Sequence, residues 1–126
     1  LAIPFTTSIN LKKHNLKTFL CINIEKIIMP KINNFARKIG VSPTSIKVVN
    51  SKAKWGMCDS NHNIYFNYKL AMLSTEMIEY VIVHELYHIK HLNHSKEFWK
   101  QVEKFMPNYK SVVNMLKKSD FLIKLF

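Results

Sequence analysis

The chain has 126 residues, nearly half of them apolar, and a formal charge of +11 from 19 basic and 8 acidic side chains. That length predicts one domain, residues 1–126, with a core of its own, and no apolar run reaches the roughly 20 residues of a membrane-spanning helix. Two cysteines, Cys21 and Cys58, exclude a disulfide-stapled scaffold and point to a reducing compartment, hence the cytoplasm.

Residues 1–15 read as an irregular leading segment without the basic, apolar and small-residue order of a signal peptide. The chain opens on Leu1 rather than Met, as a part of a longer protein would. Residues 18–39 place Leu20, Ile24, Ile27, Ile28, Ile32, Phe35 and Ile39 at helical spacing. Pro30 is expected to kink or split that helix and Gly40 to end it. After the connector at 41–44, residues 45–50 read as a strand, Asp59 to Asn63 as a turn and Ile64–Asn67 as a second strand. A short antiparallel meander or hairpin is the expected sheet.

Ser74 or Thr75 caps the next helix, whose apolar stripe holds Met77, Ile78, Val81, Ile82 and Leu86. Ser95 caps another over residues 96–105, which Pro107 stops, and residues 108–118 form a last helix. The fold class is α+β: a small antiparallel sheet on a histidine-bearing helix, flanked by N- and C-terminal helices.

HELYHIKHLNH, residues 84–94, holds four of the six histidines. His84 and His88 lie four apart, so a helix puts both imidazoles on one face, within reach of one metal ion. Glu85 points to the side, where it would hold a metal-activated water rather than the metal. This is H-E-x-x-H, the zinc-hydrolase pattern: Zn2+ acidifies water, and the carboxylate accepts its proton as a carbonyl is attacked. A solvated, histidine-rich helix face is the alternative.

A catalytic zinc takes three protein ligands. The candidates for the third are His94, then Glu97, then His91. On a straight helix the Cα of His91 stands about 10.5 Å from that of His84, too far along a rod for one ion. His94 follows the turn at Leu92-Asn93 and can approach from another direction. The His84 to His94 spacing is also that of the metzincins, but those carry glycine where His91 stands, and no Met-turn is identifiable.

Three blocks give the chain a resemblance to the YgjP-like metallopeptidase family, relatives of the SprT-like and other small zinc-peptidase domains. KAKWGMC (52–58) is similar to a family stretch around Trp-Gly-x-Cys. IEYVIVHELYHIKHLNHSKEFW (78–99) is similar to the family's zinc helix and the start of the next helix, and MPNYK (106–110) to its Pro-x-Tyr ending. The resemblance implies a zincin-like, minigluzincin-like fold, zinc on His84, His88 and His94, Glu85 as general base, and a peptide or protein substrate. It also implies an N-terminal β-rich part that this chain largely lacks. Ala53, Lys54 and Met57 stand where the family has Ser, Arg and Ser; Lys54 keeps the charge without arginine's fork.

Gly56 reads as room for a substrate strand to approach. Trp55 reads as a buried anchor and Cys58 as a small hydrophobe, Phe98 and Trp99 as core, and Tyr87 and Tyr109 as packing residues or oxyanion donors. His62 reads as an exposed turn residue. The positive charge, with Lys47, Lys52, Lys54 and Lys90 expected near the cleft, motivates two alternatives: a metal-dependent hydrolase of nucleotide phosphoanhydrides, or a zinc-bearing module that docks nucleic acid or protein. Its only arginine is Arg37, and specific phosphate readers favour the arginine fork.

Overall fold

The computed structural model describes residues 9–125, with side chains from Leu16 onward. Helix α1 runs from Ile9 to Ile39. Residues 9–15 are therefore helical rather than irregular, while 1–8 lie outside the described residues. Pro30 sits inside α1 without splitting it. Its ring removes one backbone donor, yet Ile24, Ile28 and Ile32, on both sides of it, are buried in one stripe. That continuous burial holds the helix together through the defect. Gly40, at φ 84°, ends it, and the amides of Gly40 and Val41 both donate to the Ala36 carbonyl.

Strands β1 (Ser45–Val49), β2 (Gly56–Cys58) and β3 (Asn63–Asn67) form one sheet in the order β1-β3-β2. β1 pairs with β3 in parallel, and β2 pairs with β3 antiparallel. The expected antiparallel meander is thus corrected to a mixed sheet. β3 takes the centre, with its Ile64 and Phe66 fully buried, whereas three-residue β2 lies at an edge. His62 adopts φ 66° in the β2–β3 turn and is half-buried, not exposed. Asp59 Oδ1 organises that turn by accepting from the amides of Asn61 and Asn63 at 2.9 and 3.0 Å.

Asn67 ends β3 and fixes the loop that leads into β2. Its Nδ2 donates to the carbonyls of Ser51 and Lys54 at 2.9 and 3.0 Å, and its Oδ1 accepts from the Lys69 amide at 3.0 Å. Asn67 is 1% exposed and Lys69 is fully buried, so Asn67→Ala leaves the Lys69 amide without its partner and releases the Ser51 and Lys54 carbonyls. The variant is expected to lose about 2–3 kcal/mol in denaturant unfolding, and to loosen the loop that carries Lys54 and Gly56.

A 3-10 turn over Tyr68–Met72 leads to α2, Thr75–Lys90. Ser74 caps α2, its Oγ accepting from the Met77 amide at 3.3 Å. Helix α2 packs on α1, β2, α3 (Lys96–Phe105) and α4 (Tyr109–Lys118). Lys31 of α1 pairs with Glu79 of α2 at 2.8 Å. A final 3-10 turn, Asp120–Lys124, is tied back twice. Asp120 Oδ1 accepts from Trp55 Nε1 at 3.0 Å, and the buried Lys69 ammonium donates to the Ile123 carbonyl. Trp55, 7% exposed, is the buried anchor expected from its sequence context. No helix among the described residues is long and apolar enough to cross a membrane.

Candidate metal centre

His84 and His88 project from one face of α2, as their four-residue spacing dictates. The helix stops at His91, and the turn through Leu92 and Asn93 carries His94 back to them. The Nε2 atoms form a near-equilateral triangle: His84–His88 3.1 Å, His88–His94 3.0 Å, His84–His94 3.1 Å. Two nitrogens sharing a tetrahedral zinc at about 2.0–2.1 Å stand roughly 3.3–3.4 Å apart, so the donor set fits that ion. Among the described residues this is the cluster able to hold a metal.

The outer nitrogens fix the rings. His88 Nδ1 lies 2.9 Å from the His91 carbonyl, which can only accept, so Nδ1 carries the proton and Nε2 presents its lone pair. His84 Nδ1 lies 3.1 Å from the Tyr80 hydroxyl. Tyr80 stands one helical turn before His84, a spacing from which sequence could have found it. Burial, then Glu85 and Tyr109, raises its phenol, which stays neutral. Phe98 touches all three imidazoles, with centroids at 5.2, 4.6 and 5.2 Å from His84, His88 and His94. It is fully buried core, as read, and also the floor of the triad.

Burial, with His88 and His94 beside it, holds the His84 imidazole down to about 3. Burial likewise lowers His88, against the pull of the His91 carbonyl. Both rings are neutral at pH 7, the state a metal requires. Glu85 is 6% exposed, and burial pushes its carboxyl up to about 8 while Lys54 draws it down. A divalent cation beside it would favour the carboxylate.

Gly56 explains how Glu85 fits. A Cβ there would meet Glu85 Cγ at 3.0 Å, Glu85 Oε2 at 3.1 Å and Val81 Cγ1 at 3.1 Å. The missing side chain makes room for the carboxylate, not first for a substrate strand as the sequence suggested. Gly56→Ala is expected to displace Glu85 and cut turnover by about tenfold or more, with zinc content unchanged by atomic emission.

Glu97 and His91 do not join the triad. Glu97 is exposed and accepts from Gln101 at 3.2 Å. His91 serves through its backbone carbonyl, and its Nε2 is buried with no hydrogen-bond partner. Burial pushes the Cys58 thiol up to about 11, aided by Glu85 and Asp59, and Cys58 is not among the clustered donors. Of the lysines expected at the cleft, Lys54 lines a recess of about 300 Å³ with His84, Glu85 and Gly56. Lys90 lines a separate one. A larger groove of about 690 Å³ starts at His94 and runs between α3 and α4 past Trp99 and Tyr109. Trp99 is stacked on both His94, at 5.7 Å, and Tyr109, at 5.4 Å.

The model of the YgjP-like metallopeptidase domain family matches residues 3–119. The chain belongs to the YgjP-like metallopeptidase family. Among solved structures, this YgjP-like chain is similar to the metallopeptidase zymogen of Pyrococcus abyssi abylysin, at 20% identity and a TM-score of 0.66. That likeness covers 73% of this chain and 93% of the other, and at that identity it speaks for the fold alone. A search of curated proteins finds no match. The fold is the zincin-like one expected from the resemblance, and family and triad together identify a zinc-dependent hydrolase of the HExxH type.

Proposed function

We propose that this YgjP-like domain is a zinc peptidase in which His84, His88 and His94 hold the ion and Glu85 is the general base. The observation that carries the assignment is the Nε2 triangle with sides of 3.0 and 3.1 Å, one residue from a buried carboxyl. When bound, zinc supplies the Lewis acidity that polarises a carbonyl and acidifies water near neutral pH. Glu85 takes the proton of the attacking water and passes it to the leaving amine. Tyr80 and the His91 carbonyl hold two of the imidazoles in orientation.

A peptide is the substrate class that the site's surroundings favour. Among the described residues β2 is an edge strand, with β3 on one side only, and its Gly56 touches Glu85. An extended chain added to that edge gains backbone hydrogen bonds and brings a carbonyl towards the triad. The free thiols of Cys21 and Cys58 fit a reducing, cytoplasmic setting.

The test is metal content by atomic emission together with cleavage of an internally quenched peptide library. About one zinc per chain is expected, with cleavage lost to a chelator and restored by zinc. Hydrolysis of nucleoside triphosphates without any peptide cleavage, or a protein that stays zinc-free at saturating supply, would overturn the reading.

A further inference from the structure

We infer that the preferred substrate is an acidic peptide, whose negative side chains lie in the groove on the His94 side of the scissile bond. This rests on the peptidase reading and names its substrate class. The groove that begins at His94 is lined by Lys96, Lys100, Lys110 and Lys117 against a single acid, Glu103. None of these lysines is spent on an ion pair, since the ion pair among the described residues is Lys31–Glu79. The recess on the Glu85 side is balanced: Lys54 and Lys117 face Glu85 and Asp120. The charge around the triad is therefore one-sided. A chain laid across it meets balanced charge on one side of the bond and, on the other, Lys96, Lys100 and Lys110 against Glu103, with Lys117 on the border of both.

The chemistry of the groove favours carboxylates over nucleic acid. Its cations are all lysines, point charges without the fork that grips phosphate. Its two aromatic rings, Trp99 and Tyr109, are already stacked on each other, and Trp99 also on His94. Neither stands clear of an aromatic neighbour for a nucleobase to stack on. A carboxylate needs only a nearby ammonium. Each exposed Lys–carboxylate contact contributes modestly, so two or three together give a preference of about tenfold at low salt, fading as salt rises.

The experiment compares kcat/KM of the zinc-loaded protein on quenched peptide pools. Each pool has randomised central positions flanked on one side, or on the other, by three Glu or three Gln. One Glu placement is expected to be cleaved about tenfold faster than its Gln twin at low salt, and the double variant Lys96→Gln/Lys110→Gln to bring the two within about twofold. Lys38→Gln/Lys104→Gln, in the other lysine-lined recess, is expected to keep the preference. Binding of the same peptides to zinc-loaded Glu85→Gln, read by fluorescence anisotropy, gives the preference without turnover. Equal cleavage and equal binding of Glu and Gln pools would overturn the inference and leave the peptidase reading standing. No cleavage of any pool, with inorganic triphosphate or single-stranded DNA bound instead, would overturn both.

Discussion

Glu85→Gln is expected to lower peptide turnover by about 10²–10⁴-fold, to leave zinc content unchanged, and to stabilise the metal-free protein at pH 8. The first two effects follow from the site: an amide cannot take a proton from water, and Glu85 is not one of the three clustered nitrogen donors. The third follows from burial. The carboxyl ionises near 4.5 when unfolded and near 8 when folded. Between those values the native state keeps a proton that the unfolded chain has released, so stability falls as pH rises from about 4.5 to about 8.

His84 acts with the opposite sign. Its imidazole moves from 6.5 unfolded to about 3 folded, so stability is lost as pH falls from about 6.5 towards 3. The two slopes offset each other between about 4.5 and 6.5. In the Gln variant only the acid limb remains. Chemical denaturation of the metal-free proteins at pH 5, 6 and 8 checks this. The variant should gain about 1–3 kcal/mol at pH 8, with a smaller gap at pH 5. Parallel curves would mean that Glu85 is not the buried group that titrates.

What the sequence conveys here is what neighbours in the chain decide. The caps at Ser74 and Ser95, the pairing of His84 with His88 and the stop at Pro107 are local signals, and each stands where it was expected. Long-range choices were not legible. β3 lies between β1 and β2 and its Ile64 and Phe66 are fully buried, yet β1 is the more hydrophobic stretch, so a linear reading of alternation cannot say which strand is central. Gly56 looked like room for a ligand because nothing in the sequence says that Glu85, 29 positions on, would occupy it. α1 crosses Pro30 because its buried stripe continues on both sides, a tertiary effect that overrides a local rule. Of the lysines expected near the cleft, Lys54 stands at the site, while the groove lysines beside His94 come from α3 and α4, whose approach to α2 depends on the turn at residues 91–94.

That turn is where the second large effect is expected. His94→Ala should weaken zinc binding by about 10²–10³-fold, if a structural zinc's binding energy of about 10–16 kcal/mol is shared among its ligands. His94 is exposed and lies outside the helices, so its removal should cost the metal-free fold less than about 1 kcal/mol. The informative control is His91→Ala. It keeps the backbone carbonyl that orients His88 Nδ1 and deletes a ring whose Nε2 is buried without a partner. Zinc affinity should change by less than about tenfold, and the metal-free protein should be no less stable. Competition against a chromophoric chelator at pH 7.5 measures both affinities on one scale. Zinc lost in His91→Ala and kept in His94→Ala would move the third ligand back onto the helix and dissolve the triad. The reverse places it beyond the bend, where the chain's reversal after Lys90 is what closes the site.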